Sequence, residues 1–270
     1  MKTREIIVLA LAGILLVFSL IYLIFMNQSS EREESKVPTT STSVRNDNIV
    51  TDADGNTYDV VKIGEQVWMK SNLRTTHYAD GTEIERTTTC KEKEPRYYKD
   101  EETGEIYYNS YAAMKNICPD GWHVSSIADW QKLEDYLVRD GRYTCGKIET
   151  QVAKSLAAST EEWWSSDREC APGYNPRTTN NISGFSALPM GKADYKDSKN
   201  KAEISWRGGG AFFVVSDDNR YRSDYLDFGK NEFKKSIYIL SDDGEISYGN
   251  FFACNLSSYC ESVRCVRDEQ

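Results

Sequence analysis

The chain has 270 residues, a formal net charge of -9 and a mean hydropathy of -0.61. This acidic balance argues against a nucleic-acid-binding protein, because phosphate groups select basic surfaces. Aromatic residues make up 12% of the chain, including 6 Trp and 17 Tyr. Rings are therefore available both for a core and for exposed contacts.

The first predicted element is the apolar segment at residues 6–26, which contains no charged residue. A helix of this length spans about 30 Å, the hydrocarbon thickness of a bilayer. The segment is longer than the apolar core of a cleaved signal peptide, and no small-x-small cleavage site follows it. We therefore predict a transmembrane signal-anchor helix at 6–26, with the membrane as its partner.

The charges that flank this helix predict its orientation. Lys2 and Arg4 precede it, and several glutamates follow it. Basic residues favour the cytoplasmic side, which predicts a cytoplasmic tail at 1–5 and a C-terminal domain outside the cytoplasmic membrane, in the periplasm or at the cell surface. Residues 27–48 are polar and too poor in apolar side chains to offset ordering entropy, so we predict a disordered tether there.

Strand patterns begin at residue 49 and continue to the end of the chain. Residues 49–63 predict two strands around a turn, and Gln66–Met69 predicts a third. Residues 73–104 are polar and irregular, which is typical of an exposed excursion. Residues 211–215, 236–240 and 262–266 are further strand candidates.

One soluble helix is clearly indicated. Ser126 is followed three residues later by Asp129, in the manner of a capping box. Apolar residues then recur on one helical face as far as Leu137, and Gly141 supplies a stop signal. Short helices and many short strands together predict an α+β domain over residues 49–270.

All 7 cysteines lie after the predicted anchor. An exported domain occupies a compartment where disulfides persist, so up to three bonds are expected, with one cysteine left over. Zinc ligation is disfavoured because no Cys-x2-Cys occurs and the chain has only 2 histidines, His77 and His123. We interpret His123 as a hydrogen-bonded structural residue and not as a catalytic base.

Several segments resemble the Fibrobacter succinogenes major paralogous domain, and they occur in the order found in that family. The resemblance covers residues 49–268, nearly the whole of the predicted exported part. The segments that carry it are 54–58, 61–69, Asn72-Leu73, 117–125, 184–189 and 262–268.

The resemblance implies a displayed domain with a C-type-lectin-like fold, distantly similar to formylglycine-generating enzymes. In such a fold the two ends of the domain are adjacent and a helix packs near the closing strands, which suggests where cysteines meet. The implied pairing is Cys118–Cys265. As second and third pairings we predict Cys145–Cys170 and Cys254–Cys260, which leave Cys90 unpaired.

The first functional hypothesis is a non-catalytic module that binds or scaffolds at the cell envelope, with a polysaccharide or an envelope protein as its partner. Aromatic rings can stack on the faces of sugars, although the same rings also fill cores. The candidate ligand-binding residues are Trp163, Trp164, Trp206, Tyr221 and Tyr225.

The alternative hypothesis is an enzyme, and it comes from the distant similarity to formylglycine-generating enzymes. Those enzymes use two cysteines near the C-terminal end as a redox and copper site. Cys254 and Cys260 lie in the corresponding part of this chain, and two thiolates suit Cu(I). An exported pair more often forms a structural disulfide, so we predict no catalytic residue, metal or cofactor.

Overall fold

The computed structural model describes residues 48–217, 236–249 and 259–268, together with the backbone of two short strands at 220–221 and 233–234. In these residues the protein is built from antiparallel sheets and a few short helices, as the α+β prediction expected. The predicted anchor at 6–26 and tether residues 27–47 lie outside the described residues. None of the helices in the described part is long and apolar enough to cross a membrane.

The elements are short and follow one another closely along the chain. The helices are α1 (Ser110–Ala113), α2 (Ile127–Asp140) and α3 (Ala153–Leu156), with 3-10 turns at Arg177–Thr179 and Asp197–Lys199. The strands are β1 (Ile49–Thr51), β2 (Thr57–Ile63), β3 (Gln66–Met69), β4 (Tyr97–Lys99), β5 (Ile106–Tyr108), β6 (Trp122–Val124), β7 (Lys192–Lys196), β8 (Lys201–Ser205), β9 (Gly210–Val214), β10 (Arg220–Tyr221), β11 (Phe233–Lys234), β12 (Ser236–Leu240), β13 (Ile246–Gly249), β14 (Tyr259–Cys260) and β15 (Cys265–Arg267).

The largest sheet has the order β1-β2-β3-β15-β6. Its last strand in sequence, β15, lies between β3 and β6, where Val266 is opposite both Trp68 and His123. Successive side chains of a strand point to opposite faces, so Trp68 and Met69 enter different cores. Both side chains are fully buried, and the middle of this sheet is therefore covered on both faces.

The core on the Trp68 face is aromatic. Trp130 of α2 lies 5.3 Å from Trp68, 5.3 Å from Phe185 and 5.1 Å from Phe213 between ring centroids. These offset and edge contacts are the arrangements that ring quadrupoles favour. The core is completed by the three-stranded sheet β13-β12-β9, which contributes Phe213 and the isoleucines of β12.

Helix α2 presents its apolar stripe to this core, as predicted. Trp130, Leu133 and Leu137 are its buried residues. The Ser126 hydroxyl accepts a hydrogen bond from the Asp129 amide, and the Asp129 carboxylate accepts one from the Ser126 amide. Gly141 ends the helix with a left-handed φ of 73°, a conformation that glycine adopts at little cost.

A buried arginine ties the C-terminal segment to the rest of the core. Arg264 is only 1% exposed. Its guanidinium donates to the carbonyls of Met69 at 3.0 Å and Phe185 at 2.7 Å, and to Asn72 Oδ1 at 2.9 Å. A charge this deep is tolerated because its two terminal nitrogens meet fixed acceptors, although Nε is buried without a hydrogen-bond partner.

Three disulfides connect distant parts of the described chain. Cys118–Cys265 and Cys145–Cys170 are both present, with Cα–Cα distances of 6.1 Å and 5.4 Å. The third bond joins Cys90 to Cys260, so the prediction of Cys254–Cys260, with Cys90 unpaired, is wrong. Cys254 lies outside the described residues.

The physical reason for this difference is the course of residues 73–104. Many of these residues are exposed, as predicted, but the segment also contacts the domain: the Thr88 carbonyl accepts a 2.7 Å hydrogen bond from the Ala202 amide of β8. This contact places Cys90, which is fully buried, in a small apolar cluster with Ala193. Cys260 lies directly opposite Ala193 in the β14–β7 pairing, and the two sulfurs therefore meet.

Candidate functional site

The five aromatic residues predicted to bind ligand differ in how exposed their side chains are and in whether the structure describes them. Trp163 is 1% exposed and belongs to the core, whereas its neighbour Trp164 is 51% exposed and Trp206 is half-buried. Tyr221 lies in β10, of which only the backbone is described, and Tyr225 is outside the described residues. The structure therefore brings together Trp164 and Trp206 and removes Trp163 from the candidates.

Trp164 and Trp206 pack against one another beside a run of glycines. Their ring centroids are 5.6 Å apart and their planes are inclined by 35°. A methyl group added at Gly208 would lie 2.5 Å from Trp164 Cδ1, and one added at Gly209 would lie 2.7 Å from Trp164 Cζ3. Only glycine leaves room for the indole here. We call this pair of rings, with the glycines beneath it, the tryptophan platform.

The backbone under the platform has an unusual conformation. Trp206 has a φ of 61°, in the left-handed region that bulky residues rarely adopt. Its carbonyl accepts hydrogen bonds from the amides of Gly209 at 2.8 Å and Gly210 at 3.1 Å. Such conformations persist only where the surroundings fix them, and they are concentrated at functional sites.

Three separate segments hold this turn in place. The Trp164 amide donates to the Gly208 carbonyl at 2.7 Å, and the Gly208 amide donates to the Pro189 carbonyl at 2.8 Å. The Ser241 amide donates to the Gly209 carbonyl at 2.9 Å. The backbone that carries the rings is therefore fixed by hydrogen bonds to three other segments.

A second buried arginine supports the other side of the platform. Arg177, which is 6% exposed, donates to the Trp163 carbonyl at 2.9 Å and to Ser165 Oγ at 3.2 Å, and it also pairs with Glu161. These contacts fix the residues on either side of Trp164. The sequence carries no periodic signal in this loop, so its support could not be found from the pattern.

Charged groups begin immediately beside the platform. Arg207 follows Trp206, and its guanidinium lies 2.6 Å from Asp100 and 3.1 Å from Glu102. Burial acts to raise the pKa of Asp100, but hydrogen bonds from Thr103 and Glu102, together with the Arg207 charge, outweigh burial and lower it. Asp100 is therefore a fixed, ionised acceptor next to the rings.

Each of the two histidines contacts carboxylate groups. His123 Nδ1 lies 2.6 Å from Asp268, and its Nε2 lies 3.1 Å from Asp129. The hydrogen bond to Asp129 is the main reason that the pKa of His123 is raised to about 9, with a further contribution from Asp268. His77 contacts Asp54 in the first hairpin turn. The predicted hydrogen bonding of His123 is therefore present.

Cys260, one of the two cysteines in the enzyme hypothesis, is bonded to Cys90, and Cys254 lies outside the described residues. In the described ranges, no group of three or more His, Cys, Asp or Glu side chains is placed to bind a metal ion. Asp217 accepts a 2.6 Å hydrogen bond from the Ile127 amide at the start of α2. This carboxylate therefore serves a helix terminus.

Comparison with known proteins places the chain in a family. The model of the Fibrobacter succinogenes major domain matches residues 61–267, from the first hairpin to the closing strand. No curated protein and no solved structure matches the chain. Since the matched residues make up more than half of its 270 residues, the chain belongs to the Fibrobacter succinogenes major domain family.

Proposed function

We propose that this protein is a non-catalytic polysaccharide-binding module, displayed outside the cytoplasmic membrane and anchored by a helix at residues 6–26. The observation that carries the proposal is the tryptophan platform, in which Trp164 exposes 51% of its surface while packed against the tilted ring of Trp206. Single exposed apolar residues are common. Here an exposed ring packs against a half-buried one on a hydrogen-bonded turn, and this arrangement supports a binding surface.

The physical argument concerns pre-organisation. The faces of sugar rings present C–H groups that pack on indole faces, and large rings supply contact area with few rotatable bonds. Binding usually loses affinity to the ordering of side chains and loops. Here the Trp206 turn and its hydrogen-bonded neighbours are ordered in advance, so most of the stacking energy remains available to the ligand.

Two further features support display at the cell envelope. Three disulfides in the described part suit an oxidising compartment. The arrangement of the ends supports a C-type-lectin-like fold: β15 lies in the same sheet as the β1–β2 hairpin, and Cys118–Cys265 fastens it there.

The test is retention of the full-length protein, in detergent, on insoluble cellulose and insoluble xylan. Trp164→Ala removes an exposed ring and should lower retention about tenfold or more. The matched control is Ile182→Ala, which removes an apolar side chain that is 62% exposed and lies outside the platform. This control variant should be retained like the wild type.

Two results would count against the proposal. Wild-type protein that passes through both matrices, and through a wider panel of plant and bacterial polysaccharides, would remove the binding function. Equal retention of Trp164→Ala and wild type would show that the platform is not the surface used. In each case circular dichroism of the variant confirms that the fold is intact.

A further inference from the structure

A groove lined by charged side chains opens beside the tryptophan platform. It lies between β4 with the turn that follows it and β8. Arg207, which lines the groove, is the residue after Trp206, so their Cα atoms are about 3.8 Å apart. We call this the paired-charge groove. The lining residues that matter for the argument are Arg86, Tyr98, Asp100, Glu102, Lys201 and Arg207.

The charges of the groove stand in pairs of opposite sign. Arg207 is paired with Asp100 and Glu102. On the β8 side, Lys201 lies 3.4 Å from Glu203. The groove thus offers donors and acceptors side by side.

This pairing selects the chemistry of the ligand. A sugar hydroxyl both donates and accepts hydrogen bonds, so it can bridge a guanidinium and a carboxylate at once. A polyanion would meet the carboxylates of Asp100 and Glu102, and like charges across an interface are unfavourable. Tyr98 adds a half-buried ring to the lining, packed 6.4 Å from Tyr107 between ring centroids. The lining therefore matches an uncharged chain of sugars.

We propose that the paired-charge groove is a second sugar subsite, and that the ligand is a neutral polysaccharide running from the tryptophan platform into the groove. The proposal rests on the proposed function and deepens it by naming the ligand class. It requires that affinity increase with the length of the sugar chain, because short oligosaccharides occupy the platform alone.

The experiment is calorimetric titration of the full-length protein in detergent. The probes are neutral xylo-oligosaccharides and cello-oligosaccharides of increasing length, with polygalacturonate as the anionic probe. The test variant is Glu102→Ala with Lys201→Ala, whose side chains are 80% and 56% exposed. Both changes leave the buried partner Asp100 paired with Arg207. The control is Glu65→Ala with Lys132→Ala, a surface pair separated by 3.8 Å outside the groove.

In the groove variant, the affinity for long neutral chains should fall about tenfold. A fall of this size corresponds to the loss of one or two hydrogen bonds. Binding of the disaccharide, and all binding by the control variant, should remain unchanged. If long chains bind the groove variant as tightly as the wild type while Trp164→Ala abolishes binding, the groove proposal is overturned and the platform stands. Preference for polygalacturonate would also overturn it. Failure of the wild type to bind any saccharide would overturn both proposals.

Discussion

The guanidinium carbon of Arg264 lies 4.4 Å from the centroid of the Phe185 ring. The same guanidinium donates a hydrogen bond to the Phe185 carbonyl. Arg264 thus holds both the ring and the backbone of one loop residue, while Phe185 packs edge-on against Trp68 and Trp130. A charged residue is in this way a structural element of the aromatic core.

We predict that Arg264→Ala destabilises the domain by about 3–5 kcal/mol, because it leaves a cavity and strands buried acceptors such as the Met69 carbonyl. Urea unfolding followed by tryptophan fluorescence measures the change. Arg142→Ala is the control: this side chain is 71% exposed, and its loss should leave the unfolding midpoint where it was. Equal midpoints for Arg264→Ala and wild type would contradict the prediction.

The glycine beneath the platform gives a second prediction. In Gly209→Ala the new methyl would lie 2.7 Å from Trp164 Cζ3 and 2.8 Å from Trp206 Cε3, so the two rings must separate. We expect a stability loss of about 1–3 kcal/mol, typical of overpacking, a changed tryptophan emission and weaker retention on polysaccharide. Gly249→Ala is the matched control, since its methyl would meet nothing closer than 3.6 Å.

The disulfides give a third prediction, which concerns the ranking of their contributions to stability and the pairing of the cysteines. In the chain-entropy model, Cys118–Cys265, with a sequence separation of 147, contributes about 5 kcal/mol, and Cys145–Cys170, with a separation of 25, contributes about 3.5 kcal/mol. Paired Cys→Ser variants should therefore lower the unfolding midpoint in that order. Mass spectrometry of non-reduced peptides should show Cys90 linked to Cys260; a Cys254–Cys260 peptide would refute the pairing.

His123 gives a fourth prediction, which concerns pH. Its pKa is raised to about 9, mainly by the hydrogen bond to Asp129, so the folded state holds a proton that the unfolded state releases near its ordinary value of about 6.5. The stabilisation is complete below about pH 6.5 and is lost as the pH rises through about 9.

Because the His123 side chain is 42% exposed, solvent screening limits the effect to under about 1 kcal/mol. The measurement compares thermal unfolding at pH 6 and pH 9.5 for wild type and His123→Gln. The wild type should lose more stability between these values than the variant. If wild type and variant lost equal stability between the two pH values, the hydrogen bonds of His123 to Asp129 and Asp268 would not be the cause.

Much of the fold could be predicted because its signals are local. The cap at Ser126 and the stop at Gly141 enclose α2 as expected, since helix termini depend on neighbouring residues. The pairing of Cys118 with Cys265 followed from the family resemblance, which carries long-range information. Cys90 could not be assigned in the same way, because the loop that buries it is ordered by a distant strand.

The candidate site could be predicted only in part. Trp163 and Trp164 are adjacent, yet one is buried and the other exposed, and a loop has no periodicity from which to tell them apart. The signal that was missed is the glycine run at 208–210. Three successive glycines that begin two residues after Trp206 indicate a backbone that a bulky side chain approaches closely. In this protein the side chain is the indole ring of Trp164.

The position of β15 also has a consequence for how the domain folds. This strand lies between β3 and β6, yet β6 ends at Val124 and β15 begins at Cys265. The five-stranded sheet therefore closes only through a pairing between segments far apart in sequence, and such non-local pairings form slowly because a long loop must close first. Proteolytic removal of the segment 259–268 would accordingly take away an inner strand of the largest sheet, β15, and not an edge strand.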